Sequence, residues 1–257
     1  MIISDLSGKL NTYEKPAMTY VSKDGGNYAA HFFTAREHLL NVRINGEVLL
    51  DITCTPDHLP ELVIGRLLSE GIITSSSDIE SIFINESGST ADVKLKIAAL
   101  FSPEAHCTLA TTGGTFMRNN IPLKKVNSLE PDPEWIIEIA RRFEEGDLIP
   151  IFIKTHSVHS CLLADCERII YVCEDIGRHN AMDKVIGCAL RDDIDLSKCI
   201  LFSSGRLPKD MASKAIHAGI PVLVSKALAS SESMALASRY GLKLVLQARK
   251  DGCLIIN

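Results

Sequence analysis

The residue types able to do chemistry in this chain gather in its last hundred positions, in short polar strings at the ends of apolar runs. Glu174-Asp175-Ile176-Gly177-Arg178-His179-Asn180 follows the run 169–173, and Ser204-Gly205-Arg206 follows 199–203. Ser225-Lys226 closes the run 221–225 and leads to Ser230-Ser231, and Gln247-Ala248-Arg249-Lys250-Asp251-Gly252 ends the run 242–248. Serine, glycine, arginine and lysine beside helix starts suit an anion. Free backbone N–H groups point at it, glycine lets the backbone approach, and a guanidinium grips phosphate with two bonds. The ligand class predicted is phosphorylated, a dinucleotide included. A plainer reading stands beside it: Ser204 and Ser230 as helix caps, Arg206 as a solvated surface residue, and Arg178-His179 tied to Glu174-Asp175 in an ion-pair knot. Convergence favours the ligand, because all these turns should fall on one edge of one sheet.

Eight cysteines sit at 54, 107, 161, 166, 173, 188, 199 and 253, and no two have the Cys-x-x-Cys spacing of a zinc ribbon or a dithiol redox pair. Several lie inside apolar runs, Cys173 and Cys199 among them, and read as small buried hydrophobes in a reducing compartment. His156 and His159 stand three apart, but the segment reads as strand into loop with no carboxylate or cysteine close by to complete a metal site. They are expected to line the ligand cleft, and no metal is expected.

The elements that must position these groups follow from periodicity. Asn45-Gly46 between Leu39–Ile44 and Val48–Cys54 predicts a hairpin. Thr55-Pro56-Asp57 predicts a helix start, with Leu59, Leu62, Val63, Leu67 and Leu68 on one apolar face and Gly71 as its stop. Residues 79–84 and 93–97 read as strands, and residues 1–25 as a loose arm with an edge strand. Residues 1–100 thus form a small α+β domain. Residues 101–132 read as loop and linker, without a clean period. Residues 133–257 form an α/β domain: a helix from Pro133 to Glu145, strands at 151–155, 160–163 and 169–173, then helices at 180–191, 208–218 and 230–240 alternating with strands at 199–203, 221–225 and 242–248. Such alternation predicts a mostly parallel sheet covered on both faces.

Composition narrows the function classes. The 257 residues are 46% hydrophobic with a net charge of -5, which fits a globular protein and opposes nucleic-acid binding driven by bulk charge. The start lacks the basic and apolar regions of a secretion signal, and no apolar run nears the roughly 18 residues that span a bilayer. A cytoplasmic protein without a membrane partner is expected.

Three strings resemble those of the formate dehydrogenase accessory sulfurtransferases, the FdhD family. They are Leu68-Ser69-Glu70-Gly71-Ile72-Ile73, the specific run Glu174-Asp175-Ile176-Gly177-Arg178-His179-Asn180-Ala181-Met182-Asp183-Lys184, and Ser204-Gly205-Arg206 with Met211 and Lys214. They occur in the family's order, and the resemblance runs over nearly the whole chain. It implies a homodimer with a cytidine deaminase-like α/β core. It also implies passage of sulfur from a cysteine desulfurase to the bis-molybdopterin guanine dinucleotide cofactor of formate dehydrogenase, bound as cargo. Arg178, His179, Ser204, Gly205, Arg206, Lys226 and the stretch Gln247, Ala248, Arg249, Lys250, Asp251, Gly252 would hold that cofactor. Neither the His-x-Glu nor the Pro-Cys-x-x-Cys of zinc deaminases is present, so zinc and deamination are not expected.

One departure concerns the sulfur itself. Many members carry a loop Thr-Gly-Cys-Gly-x-Cys-Gly whose first cysteine bears the persulfide. Here the stretch reads Ala110-Thr111-Thr112-Gly113-Gly114-Thr115-Phe116, which without gaps puts Gly113 and Phe116 at the two cysteine positions. The thiol of this loop is Cys107, beside His106, and a relay needs a reachable thiolate. Two functions stay open: a sulfurtransferase using Cys107, or a cofactor-binding chaperone that no longer moves sulfur. An unrelated nucleotide-dependent enzyme is disfavoured, since the chain has no P-loop, dinucleotide glycine fingerprint or nucleophile elbow.

Overall fold

In the computed structural model, which describes residues 1–30, 32–96 and 122–256, the chain enters at the edge of a sheet. Strand β1 (Ile2–Asp5) lies there, as the edge strand expected of the arm. Two short ribbons follow, β2 (Tyr13–Glu14) with β5 (Thr34–Ala35) and β3 (Met18–Val21) with β4 (Asn27–Ala30). Then come β6 (His38–Ile44), β7 (Glu47–Cys54), helix α1 (Leu59–Ser69), β8 (Ile79–Ile84) and β9 (Thr90–Leu95), giving a five-stranded sheet in the order β1-β8-β9-β6-β7. Asn45 and Gly46 close the predicted hairpin with φ of 50° and 92°, the positive values its two-residue turn demands.

Helix α1 starts later than its sequence suggests. Thr55 does not open it: its N–H donates to Asp175 Oδ2 at 2.9 Å, and its hydroxyl accepts from the Ile176 N–H at 3.1 Å. All of α1 is buried, polar Glu61, Arg66 and Ser69 included, rather than one apolar face. A helix this enclosed has elements on both sides.

The second half supplies them. It contains α2 (Pro133–Glu145), α3 (Pro150–Thr155), β10 (His159–Ala164), β11 (Ile169–Asp175), α4 (Arg178–Arg191), β12 (Ile200–Ser203), α5 (Lys209–His217), β13 (Val222–Ser225), α6 (Ser231–Tyr240), β14 (Lys243–Arg249) and β15 (Gly252–Ile256). The strand expected at 151–155 is helix α3. Pro150 opens it, and the Glu174 carboxylate accepts from the Ile151 and Phe152 N–H groups at 2.8 and 2.7 Å. A distant carboxylate capping those donors overrides the β preference of an isoleucine-rich segment.

The six-stranded sheet has the order β11-β10-β12-β13-β14-β15. It is mixed rather than mostly parallel: β12, β13 and β14 run parallel, while β10 is antiparallel to both β11 and β12, and β15 to β14. The short links 165–168 and 250–251 can only make hairpins, whereas the helical crossovers through α5 and α6 give the parallel pairs. The α/β reading holds, with the parallel portion confined to the middle.

The two sheets meet across α1 and α4, and one buried apolar cluster runs from Leu40 and Val93 through Ile64 and Val185 to Leu201 and Leu223. The helices cross at two glycines. A Cβ on Gly65 would lie 1.9 Å from the Asp183 carbonyl oxygen, and one on Gly187 would lie 1.8 Å from that of Glu61. Each helix therefore rests on the other's backbone.

Buried charge is threaded through this crossing. Asp183 accepts from Ser69 Oγ at 2.7 Å and from Lys214 Nζ at 2.6 and 2.5 Å, with Arg66 at 3.5 Å. Asp175 takes Lys184 Nζ at 2.8 Å and the Thr55 and Gly177 N–H groups, while Lys184 also bonds the Thr55 and Glu174 carbonyls and Asp57. Burial works against charge on Lys184, but Asp175 and Asp57 outweigh it and hold its pKa above the ordinary lysine range.

Two outcomes are expected. Gly65→Ala and Gly187→Ala force the helices apart and cost at least about 3 kcal/mol each, read as a fall in the urea midpoint or loss of soluble folded protein. Asp183→Asn leaves Lys214 buried without its counter-charge and Arg66 with Glu70 alone, and costs about 3–5 kcal/mol. A midpoint within error of wild type for either set contradicts the account.

Candidate functional site

The predicted turns converge on one edge. Strands β12 and β13 are parallel and end together at Ser203 and Ser225. Because β10 is antiparallel to β12, its first residues arrive at the same edge, with Cys161 opposite Ser203, and β11 ends there too, with Asp175 opposite His159. The turns are then sewn to one another. Ser204 N–H donates to the Ser160 carbonyl and Ser160 N–H to Ser204 Oγ, both at 3.0 Å. Lys226 N–H donates to the Ser203 carbonyl at 3.2 Å, Ser225 Oγ to the Gly205 carbonyl at 2.7 Å, and Gln247 N–H to the Ala227 carbonyl at 3.2 Å. Each loop's free backbone groups are thereby matched by its neighbour, which fixes the side chains they carry.

A cleft of about 640 Å³ opens at this edge. Phe143, Ile149 and Phe152 give it apolar lining, and His156, His159, Ser204, Lys226 and Arg249 give it polar lining. Lys226 lies 5.5 Å from the centre of the Phe143 ring, and burial draws its pKa below the ordinary lysine value. Glu144 sits 3.9 Å from Lys226 Nζ and 3.7 Å from Arg249, so one carboxylate faces two cations and the pair retains net positive charge. Burial, with Arg178 nearby, pushes His159 below the ordinary imidazole value and keeps it neutral near pH 7. Its Nδ1 is 3.5 Å from Ser204 Oγ.

A smaller adjoining cleft of about 300 Å³ is lined by Arg178, Arg206, Pro208, Leu228 and Ser230. Gly205 forms the joint between the two: a Cβ there would meet Arg178 Cδ at 3.1 Å and His159 Nδ1 at 3.4 Å. Arg178 Nε is buried without a hydrogen-bond partner among the described residues, an orphaned donor of the kind a bound anion satisfies.

The predicted residues thus divide. Ser204, Lys226 and Arg249 belong to the large cleft, and Arg178 and Arg206 to the small one. His156 and His159 do line the cleft, as expected. His179 lines neither; it is buried with Nε2 2.8 Å from Asp210. Ala248 is buried in the core. Gln247 is exposed in β14 with φ of 48°, and Lys250 and Asp251 form the exposed turn before Gly252 opens β15. Ser230 caps α6, accepting from the Ser233 N–H at 3.2 Å, whereas Ser204 caps no helix. The plainer alternative, a knot of Arg178-His179 with Glu174-Asp175, is not what the fold builds: Lys184 pairs with Asp175, and the Glu174 carboxylate caps α3. Cys107, His106 and the stretch 110–116 lie outside the described residues.

Sequence reasoning missed Phe143, Glu144, Ile149 and Phe152. Glu144 and Phe143 belong to a helix taken as scaffold, and Phe152 to the segment taken as a strand. Phe143 belongs to the i, i+3, i+4 apolar spacing of α2, but nothing in that spacing points toward this edge.

Comparison with known proteins shows which family the chain resembles. Residues 35–256 match the model of the FdhD/NarQ family. The sulfur carrier protein FdhD of Wolinella succinogenes is 34% identical over 229 residues, spanning 84% of this chain and 77% of that protein. The FdhD protein of Listeria innocua is 29% identical over 227 residues, 84% of this chain and 86% of the other. The crystal structure of a formate dehydrogenase accessory protein from Desulfotalea psychrophila aligns with a TM-score of 0.76 at 25% identity, covering 96% of this chain and 97% of that one. The overall fold is shared with that structure, and the chain belongs to the FdhD/NarQ family.

Proposed function

We propose that this chain is a sulfur carrier for formate dehydrogenase, passing sulfur from a cysteine desulfurase to the bis-molybdopterin guanine dinucleotide held at its strand edge. The observation that supports it best is the pairing of two cation-bearing clefts around Gly205, in a chain whose relatives are named sulfur carriers. A dinucleotide is an elongated ligand with anionic phosphates between bulky ring systems. Lys226 and Arg249 offer charge beside the apolar lining of Phe143 and Phe152, and Arg178 and Arg206 offer a second cationic patch across the Gly205 joint. Guanidiniums can each take two phosphate oxygens, and the orphaned Arg178 Nε is a donor already desolvated.

Sulfur transfer itself needs a thiolate that reaches both donor and acceptor. The Cys107 thiolate would attack the outer sulfur of the desulfurase persulfide. The old S–S bond breaks, the desulfurase leaves as a thiolate, and Cys107 holds the persulfide. Cys54, Cys161 and Cys199 are poorly suited to this role, because burial pushes their thiols well above the ordinary range. Cys166 is exposed, but it sits in the β10–β11 link, away from both clefts.

Two experiments test the proposal. In intact-mass spectrometry after anaerobic incubation with a desulfurase and cysteine, wild type gains sulfur and Cys107→Ala does not. A wild type that gains none, while the desulfurase loads another acceptor, leaves a cofactor-binding chaperone instead. In calorimetric titration with GDP, Lys226→Ala and Arg249→Ala each weaken binding about tenfold, the size of one lost charge-assisted contact. Absence of any heat with wild type, together with no thermal shift, removes the dinucleotide from this edge.

A further inference from the structure

Away from both clefts, three soft donors meet at the start of α1. Cys173 lies on β11, Cys188 on α4, and His58 is the residue that caps α1. The two Sγ atoms are 3.9 Å apart, and with a ring nitrogen of His58 the three donor atoms lie within 4.8 Å of one another. We propose that His58, Cys173 and Cys188 form a binding site for a zinc-class divalent cation, independent of the dinucleotide edge.

The distances fit that cation. Two thiolates bound tetrahedrally at about 2.3 Å from zinc stand about 3.8 Å apart, so the observed separation needs almost no adjustment. A disulfide would need the sulfurs to close to about 2 Å. Two thiols and an imidazole are a borderline-soft donor set, which suits zinc and does not suit magnesium or calcium, both of which take oxygen. Asp57 Oδ2 stands 3.5 Å from His58 Nδ1, the carboxylate partner that commonly orients an imidazole bound to metal through its other nitrogen.

Access agrees, and metal binding displaces the thiol protons. His58 is exposed and, with Asp57, Glu61 and Arg191, lines a cleft of about 880 Å³ that reaches solvent. Three protein donors leave one of the four zinc positions for water. The expectation of no metal rested on ligands close together in sequence, and this trio is assembled only by the fold. A cation here would staple β11 and α4 on either side of the string 174–184 and tie both to α1.

The test uses the full reduced chain under anaerobic conditions, with Co²⁺ as probe. One equivalent should bring up a thiolate-to-cobalt charge-transfer band with tetrahedral d–d bands, and one equivalent of Zn²⁺ should erase them. Cys173→Ser and Cys188→Ser should lose the charge-transfer band, and Cys166→Ser should keep it. His58→Ala, a change at an exposed position, should weaken Co²⁺ binding at least about tenfold. Zinc should raise the melting temperature of wild type and leave that of Cys188→Ser unmoved. No charge-transfer band in wild type, a band that survives Cys188→Ser, or unchanged affinity in His58→Ala overturns the site. The last arm decides even where the cysteine variants fail to fold.

Discussion

The contact on which everything else rests is the crossing of α1 and α4, where each helix presents a glycine to the other's carbonyl oxygen. No side chain fits between them, so the backbones approach closely and their relative position is fixed. That closeness has a cost. The helices carry Arg66, Ser69, Asp183 and Lys184 into the buried interior, where polar groups need partners. The partners come from both halves of the chain: Ser69 and Arg66 from α1, Lys214 from α5, Thr53 and Thr55 from the end of β7. Glycine contact and buried polar network are one device, since neither can be kept without the other.

The strand edge inherits its order from that device. Asp175 ends β11, and it is held by Lys184, Thr55, Gly177 and Asn180. Its neighbour Glu174 reaches the other way and caps α3, the helix that brings Phe152 to the cleft. Two adjacent carboxylates thus set two different structures. One joins the sheets, the other shapes the wall of the strand-edge cleft. Arg178 follows immediately at the start of α4, so its place beside Gly205 is determined by the same crossing that locks α4 to α1.

This division explains what could be read from the residues alone. The hairpin at Asn45-Gly46, the helix at 133–145 and the convergence of Ser204, Lys226 and Arg249 were legible because turn chemistry and strand ends are local properties. The helix at 150–155 was not, because the carboxylate that caps it lies on β11 and no local pattern announces it. The mixed sheet was missed for a related reason: apolar strands look alike whichever way they run, and only the short links at 165–168 and 250–251 betray the hairpins. For the candidate site, the cationic residues were visible and the apolar lining was not. Cation-bearing turns stand out against apolar runs, whereas Phe143 and Ile149 are ordinary core residues until the fold places them at an edge.

The string Glu174 to Lys184 shows why the most distinctive residues need not be the ones that touch a ligand. Asp175, Asn180, Asp183 and Lys184 are all buried and each bonds a group from the first half of the chain. His179 turns to Asp210. Of the charged residues between Glu174 and Lys184, it is Arg178 that lines one of the two strand-edge clefts. A buried ion changed singly leaves its partner uncompensated, which makes such a network hard to alter piece by piece. A residue that grips a phosphate at a solvated edge is under no such constraint, because water can replace what a substitution removes. Specific sequence therefore marks the joint between the sheets, and under the proposed function the ligand contacts fall to residues such as Lys226 and Arg249, whose surroundings give them less to announce.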